Sequence, residues 1–471
     1  PTRRPRDERN RLKKVFVIGL DCAEPTLVFD RWRDLLPNLR RLMEGGVYGE
    51  LTSTIPAITV PAWASMLSGK DPGQLGVYGF RNRADRSYER MTIATSRAVK
   101  ADRVWDLLSR AGKKVIVAGV PQTYPVSPVN GCLISSFLTP STFSEYTYPK
   151  ELKEEIGSLL DGEYMLDVHQ FRTENKDHLV EQIFKMADQH HKLIMHLMTT
   201  KPWDFFMHVD MGVDRMHHGF WKFFDERHPL YEAGNRYENV IRDYYMLIDS
   251  QIGERLALLD DNTVVLVVSD HGGQPMMGGI CFNEWLKQEG YLSLEYQPEG
   301  IVPLEKCEVD WDKTLAWGSG GYYARLFLNV KGREPNGVIE PEDYERVRDE
   351  LAQRIAAIAD PDGNCIGSVA YKPEEIYKEV NNIAPDLIVY FGNLRWRSVG
   401  SLGLNRIHTF ENDTGPDDAN HAQNGLYICY DPKGQGAGLG PRQHLMDVAS
   451  TILELMGAPV PGDMQGQSFA R

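Results

Sequence analysis

Long hydrophobic runs are missing from this 471-residue sequence. No stretch of about 18 consecutive apolar residues occurs, so the sequence predicts no membrane-spanning helix and no membrane partner. The six cysteines are scattered without a C-x-x-C pair, which indicates reduced, mostly buried thiols rather than a disulfide framework. No G-x-G-x-x-G motif follows the first predicted strand, and this absence disfavours a dinucleotide-binding Rossmann enzyme.

An excess of positive charge is also missing, because the formal net charge is −14 at pH 7. Nucleic-acid polymers and anionic membranes need a basic protein surface, so neither is expected as a general partner. The segment 1–14 is rich in Arg and Lys but lacks the apolar stretch of a secretory signal. These features predict a cytoplasmic protein, and they predict no particular oligomeric state.

Short, nearly continuous apolar runs alternate with helical patterns along the chain. The clearest runs, each predicted to be a strand buried on both faces, are 15–19, 115–119, 205–209, 264–269, 387–391 and 426–430. Helical patterns occur at 39–43, 62–67, 103–111, 177–198, 236–259 and 344–358. Strands that alternate with helices predict an α/β fold with a largely parallel central sheet and helices on both faces.

The region 281–372 interrupts this alternation, because it is rich in Gly, Pro and aromatic residues. We interpret it as a cap or lid that is inserted into the domain. The α/β core then comprises residues 1–280 and 373–471, with approximate boundaries.

Carboxylate and imidazole side chains follow two of the predicted strands. Asp21 comes directly after the first strand, where it is either a helix cap or a ligand. Asp270 and His271 follow the run 264–269 and precede two glycines, a pattern that packing alone does not explain. Open α/β sheets bind ligands at the carboxyl ends of their strands, so these side chains are candidate metal ligands.

Thr59 precedes Val60 and Pro61 at the start of a predicted helix. Proline is favourable in a first helical turn, so Thr59 is expected at the helix N-terminus. One interpretation is that its hydroxyl only caps the helix. The other is that the hydroxyl is a nucleophile, since free N–H groups at a helix N-terminus stabilise a phosphate oxyanion and a metal ion activates the hydroxyl.

A further carboxylate–imidazole pair lies after the strand 205–209. Asp214 and His218 are four residues apart, so in a helix they lie on the same face, a spacing that suits a zinc-like ion. Asp210 and His217 are competing candidates, whereas His208 lies within the strand and is predicted to pack in the core.

His421 lies in a polar loop before the last predicted strand and completes the set of candidates. Together the candidates supply Asp, His and Thr side chains at strand ends and adjoining loops. Such a mixture of nitrogen and oxygen ligands suits two divalent ions of the zinc type, with Mn²⁺ as an alternative, better than magnesium.

In this order, the elements resemble the type I phosphodiesterase/nucleotide pyrophosphatase family of the alkaline phosphatase superfamily. The resemblance covers most of the chain. It rests on the strand ending at Asp21, the Thr-x-Pro helix start, the Asp-x-x-x-His pair, the Ser-Asp-His-Gly element, His421 and the final segment 447–468.

The resemblance implies an alkaline phosphatase-like fold and a metal-dependent phosphodiesterase. The implied metal ligands are Asp21, Thr59, Asp270 and His271 for one ion, and Asp214, His218 and His421 for the other. Thr59 would attack the phosphorus of a small phosphate-containing substrate, and water would hydrolyse the resulting phosphothreonine.

The sequence departs from the family after the Thr-x-Pro motif. Family members usually carry Asn there, which helps to bind phosphate, whereas this chain has Ala62 and Trp63. The Val60 backbone N–H is a candidate replacement donor, and Trp63 either stacks on a base or fills the core. Other candidates, by residue type alone, are Arg81, Asn82, Arg395 and Arg397. Three aromatic residues of the predicted lid either line the pocket or form part of a Gly-rich turn: Trp317, Tyr322 and Tyr323.

Several related activities are weighed against the phosphodiesterase. A phosphonate hydrolase or a phosphomonoesterase of the same superfamily is the main alternative. A sulfatase would need a C/S-x-P-x-R motif, and Cys22 has no Arg in place. A cofactor-independent phosphoglycerate mutase usually has a Ser nucleophile. A non-catalytic metal-binding protein is the alternative from another class, and it is disfavoured because every expected ligand position is filled.

Overall fold

The computed structural model describes residues 13–160 and 162–470. Residues 1–12, which include most of the segment predicted not to be a secretory signal, lie outside the described residues. Within the described part of the chain, no helix combines the length and the apolar character that crossing a membrane requires.

The strands are short and are distributed along the described chain. In chain order they are Lys14–Leu20 (β1), Val47–Thr52 (β2), Arg81–Arg83 (β3), Met91–Ile93 (β4), Val115–Ala118 (β5), Gly131–Ile134 (β6), Thr147–Tyr148 (β7), Phe205–Asp210 (β8), Thr263–Val268 (β9), Gly272–Pro275 (β10), Gly278–Cys281 (β11), Ala316–Ser319 (β12), Ala324–Leu328 (β13), Val369–Tyr371 (β14), Leu387–Tyr390 (β15), Trp396–Val399 (β16), His408–Thr409 (β17), Ala419–Ala422 (β18), Asn424–Tyr430 (β19), Gly438–Leu439 (β20) and Gln443–His444 (β21).

The helices occur at the predicted positions and also in segments between them. In chain order the α-helices are Pro37–Gly45 (α1), Thr59–Ser68 (α2), Pro72–Leu75 (α3), Val104–Arg110 (α4), Leu152–Leu159 (α5), Lys176–Thr200 (α6), Gly212–Phe224 (α7), Val240–Leu256 (α8), Phe282–Gln288 (α9), Tyr344–Ala356 (α10), Pro373–Ile376 (α11) and Asp447–Leu455 (α12).

A ten-stranded sheet forms the centre of the molecule, and its main path runs β20-β2-β19-β9-β1-β8-β5-β6-β7. The five strands from β9 to β6 along this path are mutually parallel. Strands β1, β5, β8 and β9 are buried almost throughout, as expected for strands covered on both faces. The predicted α/β fold with a largely parallel central sheet is therefore confirmed.

Strand β19 runs antiparallel to both of its neighbours, β9 and β2. Its apolar run 426–430 predicts a buried strand, but periodicity carries no information about strand direction. Because β19 starts at the edge where β1, β8 and β9 end, the segment before it brings His421 to that edge; this segment is the short strand β18, paired with β10, and not the loop predicted from the sequence.

A second, antiparallel sheet has the strand order β12-β13-β15-β14. The run 387–391 lies in this sheet as β15, paired with β13 and β14, and not in the central sheet. The reason is that an apolar strand buried on both faces has the same sequence signature in either sheet. This sheet contributes to a separate hydrophobic cluster that also includes residues of α9 and α10.

Candidate active site

The parallel strands β1, β8 and β9 end side by side, and this edge of the sheet carries the candidate ligands. Asp21 follows β1, Asp270 and His271 follow β9, and α7 starts just after β8. Because carboxyl ends of parallel strands meet at the same edge, residues that are far apart in sequence lie close together. The structure brings all of the predicted metal ligands to this place.

The first cluster consists of Asp21, Asp270 and His271, which are completely buried. His271 Nε2 lies 3.2 Å from Asp270 Oδ2 and 3.8 Å from Asp21 Oδ1. The other oxygen of Asp270 accepts a hydrogen bond of 3.2 Å from the Cys22 backbone N–H. The free carboxylate oxygens and the imidazole nitrogen therefore face the same point, as ligands of one ion would.

Asp21 is oriented by Trp63 of α2, whose Nε1 donates a 2.7 Å hydrogen bond to Asp21 Oδ2. Trp63 is fully buried, so its ring lies in the core rather than on a surface open to substrate. Gly19 makes this packing possible, because a Cβ at this position would lie 2.7 Å from the Trp63 ring. The helix and the strand thus approach closely, and the indole fixes the carboxylate.

Thr59 is the first residue of α2, and the extended residue Ile58 precedes it as the N-cap. The Thr59 side chain therefore does not occupy the capping position; its Oγ1 lies 3.4 Å from His271 Nε2 instead. The N–H groups of Thr59 and Val60 belong to the first helical turn and have no partner within the helix. The hydroxyl thus lies beside the first cluster and at the positive end of a buried helix.

The second cluster consists of Asp214 and His218 of α7 with His421 of β18. Asp214 Oδ1 lies 3.2 Å from His218 Nε2 and 3.9 Å from His421 Nε2, and the two imidazole nitrogens are 3.2 Å apart. His421 Nδ1 lies 2.8 Å from the Ala57 carbonyl oxygen, so it carries the proton and Nε2 has a free lone pair.

The two clusters lie next to each other. The rings of His271 and His421 are stacked with centroids 3.7 Å apart, and Asp214 has a ligand atom within reach of both rings. The two clusters are therefore close enough to share Asp214.

The chemistry of the clusters fits divalent cations. Asp21 Oδ1 and Asp270 Oδ2 are buried and have no hydrogen-bond partner among the described residues, whereas Asp214 is paired with His218 and with Arg215 Nη1, 2.5 Å from Asp214 Oδ2. Burial and the neighbouring carboxylates raise the pKa of Asp21 and of Asp270 well above the usual range. Two buried carboxylates in such proximity, each with a free oxygen, are unfavourable unless a cation neutralises them, so the site is suited to bind metal ions.

His218 has a different environment because Asp417 lies behind it. Asp417 Oδ1 is 2.7 Å from His218 Nδ1, and Asp417 Oδ2 accepts hydrogen bonds of 2.9 Å from both Tyr322 Oη and Arg172 Nε. Burial by itself lowers the pKa of His218, but Asp417 and Asp214 outweigh burial and raise this pKa to about 9. Carboxylates behind a ligating imidazole commonly fix its orientation.

The competing candidates have structural roles. Asp210 Oδ1 accepts hydrogen bonds from the backbone N–H groups of Gly212 and Val213 and from Tyr244 Oη, so Asp210 caps the start of α7. His217 Nε2 lies 3.2 Å from Tyr245 Oη, and its ring packs against aromatic neighbours. His208 is completely buried within β8, as the prediction of a packed histidine requires.

The predicted substrate contacts are divided between two places. Tyr322 lies at the site, where its ring packs on His218 and His421 with centroids 4.8 and 4.4 Å away. Several other candidates line a separate cavity: Arg81, Trp317, Tyr323 and Arg397. Asn82 is used in a turn, since its Oδ1 accepts a 2.8 Å hydrogen bond from the Tyr78 N–H, and Arg395 is exposed.

Three residues near the clusters were not predicted from the sequence. Cys22 follows Asp21 and its sulfur lies with Asp214 and His218, within the range of a shared ion. Asp417 and Arg172 contact the site only through the tertiary fold. The adjacency of Cys22 to Asp21 was a usable signal, whereas loop residues such as Asp417 carry none.

The fold and the site together define a phosphate-ester hydrolase of the alkaline phosphatase superfamily. The model of the type I phosphodiesterase/nucleotide pyrophosphatase family matches residues 15–417. The chain therefore belongs to this family, as the sequence resemblance predicts, and its identification as an enzyme is confirmed. No curated protein gives a significant match to the chain.

Solved structures share the fold at low sequence identity. Murine ectonucleotide pyrophosphatase/phosphodiesterase 5 is 14% identical, with a TM-score of 0.53 and coverage of 95% of this chain and 96% of that chain. A threonine-to-alanine variant of the murine enzyme, described as inactive and in complex with AMP, has a TM-score of 0.52, 14% identity and the same coverage. Phosphonoacetate hydrolase from Sinorhizobium meliloti 1021, in complex with phosphonoformate, is 16% identical, with a TM-score of 0.59 and coverage of 95% and 96%.

Proposed function

We propose that the protein cleaves a phosphodiester or pyrophosphate bond with Thr59 as its nucleophile and two divalent ions, Zn²⁺ or Mn²⁺, as cofactors. The observation that carries this proposal is the position of Thr59 Oγ1, at the N-terminus of a buried helix and 3.4 Å from His271 Nε2. A hydroxyl in this position lies beside a proposed metal ligand and at the N–H groups of a helix N-terminus.

Each ion would have its own set of ligands. The first set is Asp21, Thr59, Asp270 and His271, and the second is Asp214, His218 and His421. When bound, the two ions would supply the positive charge that activates the hydroxyl and stabilises the attacking and leaving oxygens. Asp417 and Trp63 would orient His218 and Asp21 from behind.

Thr59 would act in two steps. Its Oγ1 forms a bond to phosphorus while the bond from phosphorus to the leaving oxygen breaks, and the hydroxyl proton passes to solvent. The resulting phosphothreonine, which still carries the substrate's other ester group, remains at the helix N-terminus, where the Thr59 and Val60 N–H groups stabilise its oxygens. A water molecule then attacks phosphorus and loses a proton, the bond from phosphorus to Thr59 Oγ1 breaks, and Oγ1 takes up a proton, so that the hydroxyl is regenerated and a phosphate monoester is released. The inactive threonine-to-alanine variant of the murine structure supports the choice of a threonine nucleophile.

The experiment compares Thr59→Ala and Thr59→Ser with the wild type on bis-p-nitrophenyl phosphate, with added Zn²⁺ or Mn²⁺ and with a chelator. We expect kcat of Thr59→Ala to fall by about 10³-fold or more, because the nucleophile is lost, and Thr59→Ser to retain part of the rate. Thr451→Ala is the matched control, since Thr451 is a buried threonine of α12 whose hydroxyl donates to the Asp447 carbonyl oxygen and accepts from the Phe469 N–H, not from any proposed ligand. A wild-type rate in Thr59→Ala would contradict the proposal.

Phosphonate hydrolysis is the second candidate function. It is favoured by the similarity to phosphonoacetate hydrolase, which is described in complex with phosphonoformate. The same assay therefore includes phosphonoacetate and a phosphonate monoester, with p-nitrophenyl phosphate to detect monoesterase activity. Faster turnover of a phosphonate than of the diester would replace the phosphodiesterase with this alternative.

A further inference from the structure

A cavity of about 480 Å³ lies outside the two ligand clusters. Its walls come from the β3–β4 hairpin, the strands β12 and β13, the turn between them, and the start of β16. A volume of this size holds a small organic molecule. None of the residues proposed as metal ligands lines it.

Arg397 of β16 is the unusual side chain of this cavity. It is only 3% exposed, and its Nε and Nη1 have no hydrogen-bond partner within residues 13–160 and 162–470. The acids whose charges act on it are Asp417, which is hydrogen-bonded to other residues, and Asp413, with 3.7 Å between Arg397 Nη2 and Asp413 Oδ1. A buried guanidinium with unused donors is costly, so this site is built to receive an anionic group.

The other charged groups of the cavity are already satisfied or exposed. Arg83 forms a 3.1 Å ion pair with Glu334, and Arg325 Nη2 donates a 2.7 Å hydrogen bond to Ser319 Oγ. Two acids that line the cavity, Glu89 and Glu305, are exposed and so are screened by solvent. Arg397 is therefore the buried cation available to a ligand.

An aromatic group forms another wall of the cavity. Tyr88 and Trp311 are stacked with centroids 3.6 Å apart and an interplanar angle of 5°, and the edge of Trp317 meets both rings. Such a surface favours a flat or apolar ligand body. The combination with Arg397 indicates a ligand that is apolar at one end and anionic at the other.

Tyr322 connects the wall of the cavity with the ligand clusters. Gly321 lines the cavity, and the next residue, Tyr322, packs on His218 and His421. The Arg397 guanidinium lies over the Tyr322 ring, 5.9 Å from its centre. A group bound at Arg397 thus lies next to the wall of the active site.

We propose that this cavity binds an anionic group carried on an aromatic or apolar body, with Arg397 as its charged partner. The ligand is either the part of the substrate remote from the reacting phosphorus or a separate effector of the same chemistry. The alternative in which the ligand is part of the substrate rests on the proposed function, whereas the binding of an anion in the cavity does not.

Tryptophan fluorescence tests binding directly, because Trp311 and Trp317 lie in the cavity and nitroaromatic anions quench indole emission. The probe is 4-nitrobenzoate, its neutral control is 4-nitrobenzamide, and the protein is titrated with and without a chelator. We expect saturable quenching by the anion in both conditions, and weaker binding by about tenfold or more in Arg397→Gln. If Trp311 is the quenched residue, the Trp311→Phe variant should show a smaller decrease in fluorescence when the probe binds.

Two variants make the result interpretable. Arg395→Gln removes an exposed arginine two positions away and should bind the probe like the wild type. Arg397→Lys keeps the charge and should retain part of the affinity, even if thermal unfolding shows that Arg397→Gln is less stable. Equal affinity in folded Arg397→Gln and wild type, or equal affinity for the amide, would overturn the proposal.

Inhibition kinetics then distinguish the two sources of the anion. Competitive inhibition of phosphodiester hydrolysis by 4-nitrobenzoate, lost in Arg397→Gln, supports a substrate group in the cavity. If 4-nitrobenzoate changes kcat but not KM in the wild type, and has no effect on Arg397→Gln, the ligand is a separate effector. Binding that leaves kcat and KM unchanged would overturn any role in the reaction. Binding by a protein that hydrolyses none of the substrates would refute the proposed function and leave the anion site intact.

Discussion

Asp417 and His218 are 199 residues apart in the sequence, yet Asp417 Oδ1 lies 2.7 Å from His218 Nδ1. The carboxylate holds a proton on Nδ1, so Nε2 is the nitrogen directed toward Asp214 and His421, and a metal ion bound there would take the place of the proton on Nε2. Because Tyr322 and Arg172 also donate to Asp417, the carboxylate itself is held in place. The second cluster thus depends on a residue that is not one of its ligands.

Asp417→Asn should weaken metal binding at the second cluster without abolishing it. The amide leaves one acceptor for His218 but removes the charge that supports the imidazole, and such changes typically cost about 10–100-fold in metal affinity. We expect the metal concentration for half-maximal activity to rise by this factor, with activity recovering at high metal. Glu411→Gln, an exposed change in the same loop, should have no effect; a loss that excess metal does not repair would contradict a positioning role.

Chelation should destabilise the wild-type protein. Metal ions that bind only the folded state add about 4 kcal/mol to the free energy of unfolding at 1,000 times the dissociation constant. Without them, the buried carboxylates of Asp21 and Asp270 repel each other. Thermal unfolding with and without chelator measures the difference.

Asp270→Asn should change the unfolding temperature in opposite directions with chelator and with metal. In chelator it removes a repelling charge, so its unfolding temperature should equal or exceed that of the wild type. With metal present it should be less stable, because a ligand is missing. If the variant is less stable than the wild type by the same amount in both conditions, the clusters are not held together by ions.

Asp210→Ala tests the role of the competing carboxylate. Loss of its hydrogen bonds to the first turn of α7 should lower the free energy of unfolding by about 1–2 kcal/mol. The number of metal ions bound per chain should stay the same, because Asp210 caps the helix rather than facing the clusters. Metal analysis of the folded variant decides this point, and a loss of one ion would make Asp210 a ligand.

The sequence predicts the central fold well where physical patterns are local. The strands β1, β5, β8 and β9 are recognisable as apolar runs in the sequence, and helices lie between them. The direction of β19 and the sheet to which β15 belongs are not predictable in this way. Both depend on which strands meet in space, and an apolar run has the same composition in either setting.

In the candidate site, too, the residues with a local sequence pattern are predictable and those that depend on the tertiary fold are not. Asp21, Asp270 and His271 are predictable because they stand at the ends of apolar strands, and Asp214 with His218 because of helical spacing. Asp417 and the contact of Trp63 with Asp21 are not predictable, since a loop carboxylate and a core indole have no local signature. These supporting residues become visible only when the chain is folded.

Trp63→Phe should separate the support of the first cluster from simple core packing. The substitution leaves Asp21 Oδ2 without its 2.7 Å hydrogen bond and a small void against Gly19, which should lower the free energy of unfolding by about 1–3 kcal/mol. Trp105→Phe is the matched control, because Trp105 is equally buried in α4 and its Nε1 has no hydrogen-bond partner in the described part of the chain. Both variants should lose stability, but only Trp63→Phe should bind metal about tenfold more weakly, since only its indole orients a proposed ligand. Metal titration of the two folded variants measures this, and equal metal affinities would mean that the Trp63 indole serves packing alone.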